Sequence, residues 1–372
     1  MSSQVLKSRL LHIDALKALA AQLIVLHHLA AYGPIADAVA EWFPRLMDHL
    51  FHDGRMAVQV FLVLGGFLSA RGLSPRGQLL EGSVPELLWR RYLRLVLPFL
   101  AALGLTLACS WLVRPWLPEL VPDAVSLPQL LSHGLLLHDV LGHEALTVGA
   151  WYVAMDFQLF ALLLGLMWLA RRLQLGPRSQ PAARRIVRAL LAPSLVLLMC
   201  LASLFVFNRD AGLDVWALYF FGAYGLGALV HWLGLSPYRR AGLLVLTALV
   251  IEALVLEFRE RIALALATAL LLAWWQQRHQ LGKPLLPRFS AGPVAELGTQ
   301  SYALFLVHFP ICLLVNAVFA HQDMAGGGPG LLMLLAAWGL SNWAALPFYR
   351  WVELPCSRLR LGVGQARVLK AS

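Results

Sequence analysis

The 372-residue chain is predicted to be an all-α integral membrane protein, with about ten transmembrane helices and both termini in the cytoplasm. Three observations predict this. Apolar residues make up 59% of the chain and charged residues only 13%, a balance outside that of soluble domains. About ten stretches of roughly 20 apolar residues recur along it, each long enough to cross a bilayer as a helix. Basic residues fall in short blocks between those stretches, on alternate sides.

The spans are expected at 11–32, 56–72, 90–113, 150–171, 187–208, 213–234, 240–258, 261–277, 297–320 and 330–351, the second and eighth being short. With the N-terminus inside, 23 Lys and Arg fall in inner segments and 6 in outer ones, and Lys17, within a span, completes the 30. That asymmetry favours an even number of crossings. The net charge of +10 therefore reads as an orientation signal, and no nucleic-acid partner is expected. Residues 1–355 are expected to form the transmembrane domain and 356–372 a basic cytoplasmic tail, with no cleavable signal peptide and no appended soluble domain. The scattered cysteines Cys109, Cys200, Cys312 and Cys356 read as ordinary packing residues.

Two outer loops are expected, at 33–55 and 114–149. His49, His52 and Asp53 sit close together in the first. The second is rich in Pro, His and acid, with an amphipathic stretch around 127–141. Its His133, His138 and His143 recur every five residues, which spreads them around a helix, so no metal site is expected.

Polar residues inside the spans are the candidate functional groups, because an ionisable side chain at membrane depth costs about 3 kcal/mol or more unless it faces a polar interior. The first span carries Asp14, Lys17 and His28. Lys17 and His28 are eleven residues apart and return to nearly the same helix face, while His27 points away. The fourth span opens with Trp151 and carries Asp156 and Gln158. His28 and Asp156 fall at matching depth in the outer half, as a general-base pair or as a contact holding two helices together. In the third span Arg91 and Arg94 are helix neighbours at the cytoplasmic mouth, suited to a phosphate or simply marking orientation. Gly65 and Gly66 in the second span allow close approach of a helix or a ligand chain. Ser301 and His308 share a face of the ninth span, with Tyr302 beside them. Glu353 ends the tenth, near the inner surface.

Taken together, these segments resemble the membrane acyltransferase-3 family of bacterial acyl transferases. The match comprises Ile13-Asp14-Ala15-Leu16-Lys17-Ala18 with His28; Val58 to Leu68; Arg90-Arg91-Tyr92-Leu93-Arg94 before Pro98; Trp151-Tyr152 with Asp156 and Gln158; Ser301-Tyr302 with His308 and Pro310; and Tyr349-Arg350 with Glu353 and Pro355. The resemblance implies a ten-helix fold in the bacterial inner membrane. It also implies transfer of an acyl group, often acetyl, from cytoplasmic acyl-CoA to an envelope carbohydrate or lipid-linked acceptor. By it, His28 matches the essential histidine, Lys17 the basic residue before it, Arg91 and Arg94 the pair linked to donor binding, and Ser301 and Tyr302 the ninth-span motif. Lys17 stands where the family more often has Arg, Asp156 where it has Glu, and Gly65 where Ser is common.

The expected mechanism docks acyl-CoA on Arg91 and Arg94 and threads its arm past Gly65-Gly66 and Lys17. His28, aided by Asp156, then acts as base or as acyl-carrying nucleophile, and Ser301 or Tyr302 steadies the oxyanion. Acyl-CoA, expected to be acetyl-CoA, enters as a donor substrate; no permanently bound cofactor is expected. A transporter or flippase, with Asp14, Lys17, His28 and His308 lining a proton or solute path, is the alternative.

Overall fold

The computed structural model describes residues 11–75, 80, 82–173, 182–281 and 291–359. Every regular element among them is helical. In chain order the first seven helices are α1 (Leu11–Ala31), α2 (Pro34–Trp42), α3 (Pro44–His52), α4 (Ala57–Leu73), α5 (Val84–Val113), α6 (Leu127–Gly134) and α7 (Ala150–Leu173). Then follow α8 (Ala182–Phe205), α9 (Ala217–Gly234), α10 (Arg239–Leu256), α11 (Glu260–Gln280), α12 (Ala291–Thr299), α13 (Ser301–His321), α14 (Gly327–Phe348) and α15 (Leu354–Arg358). A π-helical turn, Tyr349–Glu353, joins the last two. The end of the bundle where α1 begins is the base; the end where it stops is the top.

Each of the ten expected spans is a helix, and among the described residues eight helices are long and apolar enough to cross a membrane. The helix α10 falls short through its three charges, Arg239, Arg240 and Glu252, and α11 through the charged and amide residues at its ends. Large apolar side chains face outward: Trp111, Leu244, Val255 and Trp343 are 79%, 72%, 79% and 72% exposed. Asp14, His28, Asp156 and His308 are buried. That is the reverse of a water-soluble fold and the arrangement lipid favours. The predicted tail at 356–372 lies outside the described residues from 360 onward.

Both expected outer loops are more ordered than their composition suggests. Residues 34–52 form α2 and α3, each opening on a proline at its first position, where a missing N–H costs nothing. Gly33, at φ +87°, makes the sharp turn from α1, and Asn316 Oδ1 accepts the Ile35 N–H at 3.1 Å. Residues 127–147 form a hairpin that folds back along α5. Its tip reaches the level of Tyr92, whose hydroxyl donates to the Gly134 carbonyl at 2.6 Å. The helix α6 stops at Gly134, and Leu136 takes a positive φ of 59°. The chain therefore doubles back, and His133 and His138 stack with ring centroids 4.2 Å apart instead of spreading around one helix. His133 holds the hairpin closed: Nδ1–H donates to Gln129 O at 2.8 Å, and Nε2 accepts the Leu146 N–H at 3.0 Å. Irregular backbone at this depth is tolerated because protein satisfies its polar groups.

The closest helix crossing is α4 on α9. A Cβ added at Gly66 would lie 1.8 Å from the Tyr224 carbonyl oxygen, and one added at Gly227 would lie 1.9 Å from the Val63 carbonyl oxygen. The two glycines let the backbones touch, so packing over the whole crossing replaces side-chain contacts. Gly66→Ala is therefore expected to drive the helices apart and destabilise the protein by about 3 kcal/mol or more, whereas Gly104→Ala, where nothing lies within 4 Å, is expected to be neutral or slightly stabilising. Thermal unfolding of the two variants in detergent checks this.

Candidate active site

Two cavities enter the bundle from opposite ends. The top cavity, of about 530 Å³, is lined by His27, His28 and Tyr32 of α1, by Arg55 and Glu119, and by residues 144–149 and 151–152 leading into α7. The base cavity, of about 430 Å³, is lined by Lys17, Arg90, Arg91, Arg94, Asp156 and Glu353, with Gly65, Ser301 and Tyr302. Only Tyr152 and Phe305 belong to both walls.

His28 sits one turn from the top of α1 and meets α13 through His308. Its Nδ1 is 2.8 Å from His308 Nε2, and the rings stack at 4.9 Å with 14° between planes. Hydrogen-bond bookkeeping fixes the tautomers. His308 Nδ1 lies 3.3 Å from the Leu304 carbonyl, one turn back on its own helix, so that nitrogen carries the proton. His308 Nε2 is then an acceptor, His28 Nδ1–H donates to it, and His28 Nε2 keeps its lone pair. A buried imidazole held in one tautomer by a second group is the arrangement a general base requires. His27 is not turned away: it lines the same cavity, with Nδ1–H donating to Leu50 O at 3.2 Å.

Asp156 does not pair with His28. It accepts from Arg91 Nη2 at 2.5 Å, in the base cavity. Two facts explain the difference. Asp156 lies one turn beyond Tyr152, and Tyr152 is already at the boundary between the cavities. The helix α5 begins at Val84, six residues before the expected position, because Ser83-Val84-Pro85-Glu86 is a helix start. Arg91 therefore lies about 10 Å from the start of its helix, where a full cation offers a carboxylate a stronger partner than a neutral imidazole. The guanidinium also lies over the Phe160 ring, 5.2 Å from its centroid, and its Nε is buried with no hydrogen-bond partner.

The remaining candidate residues divide between lining and scaffold. Lys17, Arg94, Gly65 and Glu353 line the base cavity and Trp151 the top one. Gly66 does not face the cavity, since the main chain of Tyr224 fills the space its side chain would take. Ser301 and Tyr302 do not reach an oxyanion near His28. They line the base cavity, and their hydroxyls donate to Gly298 O at 3.0 Å and Leu95 O at 2.8 Å. Gln158 caps α9 by accepting the Ala217 N–H at 3.2 Å. Asp14 is buried against α12, where Gly298 leaves room for its main chain. The sequence pattern gave no sign of Arg55, Glu119 and Glu144 in the top cavity, because they come from three segments between spans.

The Arg91–Asp156 pair makes a stability prediction. Asp156→Asn leaves a partly buried guanidinium without its counter-charge and is expected to cost about 1.5–3 kcal/mol. The double variant Arg91→Met with Asp156→Leu should recover much of that loss. Chemical unfolding of the three proteins in one detergent checks the order.

Among comparisons with known proteins, no curated protein and no solved structure matches the chain. The acyltransferase-3 family model, an acyltransferase domain, matches residues 10–350, from the start of α1 to the π-helical turn after α14. That span includes His28, Arg91, Asp156 and His308. The chain belongs to the acyltransferase-3 family of membrane acyltransferases.

Proposed function

We propose that the protein moves an acyl group, expected to be acetyl, from cytoplasmic acyl-CoA to a hydroxyl of a cell-envelope carbohydrate or lipid-linked sugar across the bacterial inner membrane. The observation that carries this reading is the pair of cavities meeting at Tyr152 and Phe305, one basic and one holding an oriented histidine. Four cations and two carboxylates line the base cavity, an excess of positive charge that supports a phosphate-bearing donor. The unpartnered Nε of Arg91 and Oε2 of Glu353 support a ligand with both hydrogen-bond acceptors and donors. Basic blocks near the base support its placement toward the cytosol. In the top cavity, Glu119, Glu144 and Arg55 beside Trp151 and Tyr32 suit a hydroxyl-rich acceptor.

The chemistry follows from the tautomers. Nε2 of His28 takes the proton of the acceptor hydroxyl as its oxygen attacks the thioester carbonyl carbon. The carbon–sulfur bond breaks, the ester forms, and the proton passes from His28 to the departing thiolate. His308 accepts from Nδ1–H throughout and steadies the imidazolium. Asp156 acts through Arg91, fixing the guanidinium that meets the donor.

His28→Ala is expected to lower kcat by about 100-fold or more with donor affinity retained, and His308→Phe, which leaves Nδ1–H of His28 without its acceptor, by about 10-fold or more with an unchanged donor KM. Turnover of labelled acetyl-CoA by purified protein measures both; full activity in His28→Ala would sink the base assignment. Arg94→Gln should raise the donor KM several-fold and leave kcat nearly unchanged, which initial rates over a range of acyl-CoA concentrations will show.

A further inference from the structure

The wall shared by the two cavities is a pair of aromatic rings, and it stands where the reacting carbonyl has to pass. Tyr152 and Phe305 meet edge to face with centroids 5.5 Å apart and 66° between planes, which is van der Waals contact. Neither ring has much room to turn. Behind Phe305 is Gly149, at φ +77°, so close that a Cβ there would lie 2.5 Å from the Phe305 ring tip. On its other side is His308, with ring centroids 6.1 Å apart. Tyr152 is flanked by Phe61 and Trp151, each at 6.0 Å. Lys17, Arg90, Arg91 and Arg94 lie below this partition and His28 above it.

We propose that Tyr152 and Phe305 set the length of the acyl group by forming a two-ring partition that only a short chain can enter. This rests on the acyl-CoA reading above. A thioester arriving from the base displaces one ring slightly and brings its carbonyl carbon to the level of His28. Whatever lies beyond that carbon then projects into the top cavity. An acetyl group adds one methyl there. A hexanoyl chain adds five carbons, which occupy the volume where the acceptor hydroxyl has to lie. The partition thus selects against long chains twice, in entry and in acceptor access. It also closes the path between the two sides of the membrane when no donor is bound.

The test is a chain-length series. Purified protein in detergent is given acetyl-, butyryl-, hexanoyl- and octanoyl-CoA, and CoA release is followed with an acceptor-containing envelope extract. Wild type is expected to favour acetyl over hexanoyl by about 100-fold in kcat/KM. Phe305→Leu and Tyr152→Ala should each reduce that ratio about 10-fold or more, while Tyr152→Phe, which keeps the ring, leaves it unchanged. If Phe305→Leu and Tyr152→Ala both keep the wild-type ratio, or if wild type uses hexanoyl-CoA as well as acetyl-CoA, the partition does not select chain length. If wild type releases CoA from none of the four, the donor reading itself fails and the inference goes with it. Two variants on two helices keep the test decisive when one of them does not fold.

Discussion

The buried ion pair between Arg91 and Asp156 is the interaction on which the site depends. Two opposite charges are held inside a bundle whose outer surface is apolar, and their desolvation costs several kcal/mol per ion. Such a pair survives only where both partners are placed by rigid elements, and here α5 and α7 place them. With Asp156 committed to Arg91, the histidine of α1 takes its partner from α13 instead. The carboxylate sets the orientation of a guanidinium, and a second imidazole sets the tautomer of the first. Division of labour between the two cavities follows from that one pairing.

The membrane fold was legible because its signal is redundant: apolar length, charge alternation and segment order all agree, so each expected span is found as a helix. The polar stripe of α1 was legible for the same reason, as a helical repeat places Lys17 and His28 on one face without knowledge of any neighbour. Pairing between helices was not. Matching His28 with Asp156 by depth considered only their own two spans and left out α5, which begins at Val84 and brings Arg91 to Asp156 from two turns inside the helix. The Ser83-Val84-Pro85-Glu86 cap held the correction. Gly66 was ambiguous because adjacent glycines face different sides of a helix, and only a solved neighbour says which side is ligand and which is backbone. Ser301 and Tyr302 have hydroxyls, but sequence does not reveal that main-chain carbonyls already accept from them.

Two apolar cores flank the site. One gathers α4, α7, α8, α9, α10 and α11; the other gathers α2, α14 and Met47 of α3; and α1, α5 and α13 contribute to both. The reacting groups stand where these cores meet, on the helices α1 and α13 that both cores share. Glycine contacts tighten the first core at the α4–α9 crossing, and Asn316 ties α13 to the start of α2 in the second. A seam between two stiff halves gives a membrane enzyme a place for long, thin substrates to enter.

The hairpin at 127–147 carries a consequence for biogenesis. Its eight-residue helix is too short to insert as a span; Tyr92 of α5 donates to its Gly134 carbonyl, and Gln129 and His133 find their partners within the hairpin itself. During synthesis it has no stable place in lipid until α5 has been released beside it, so it docks after its neighbouring spans and not with them. The segment that walls this flank of the top cavity therefore takes its place only once α5 stands beside it.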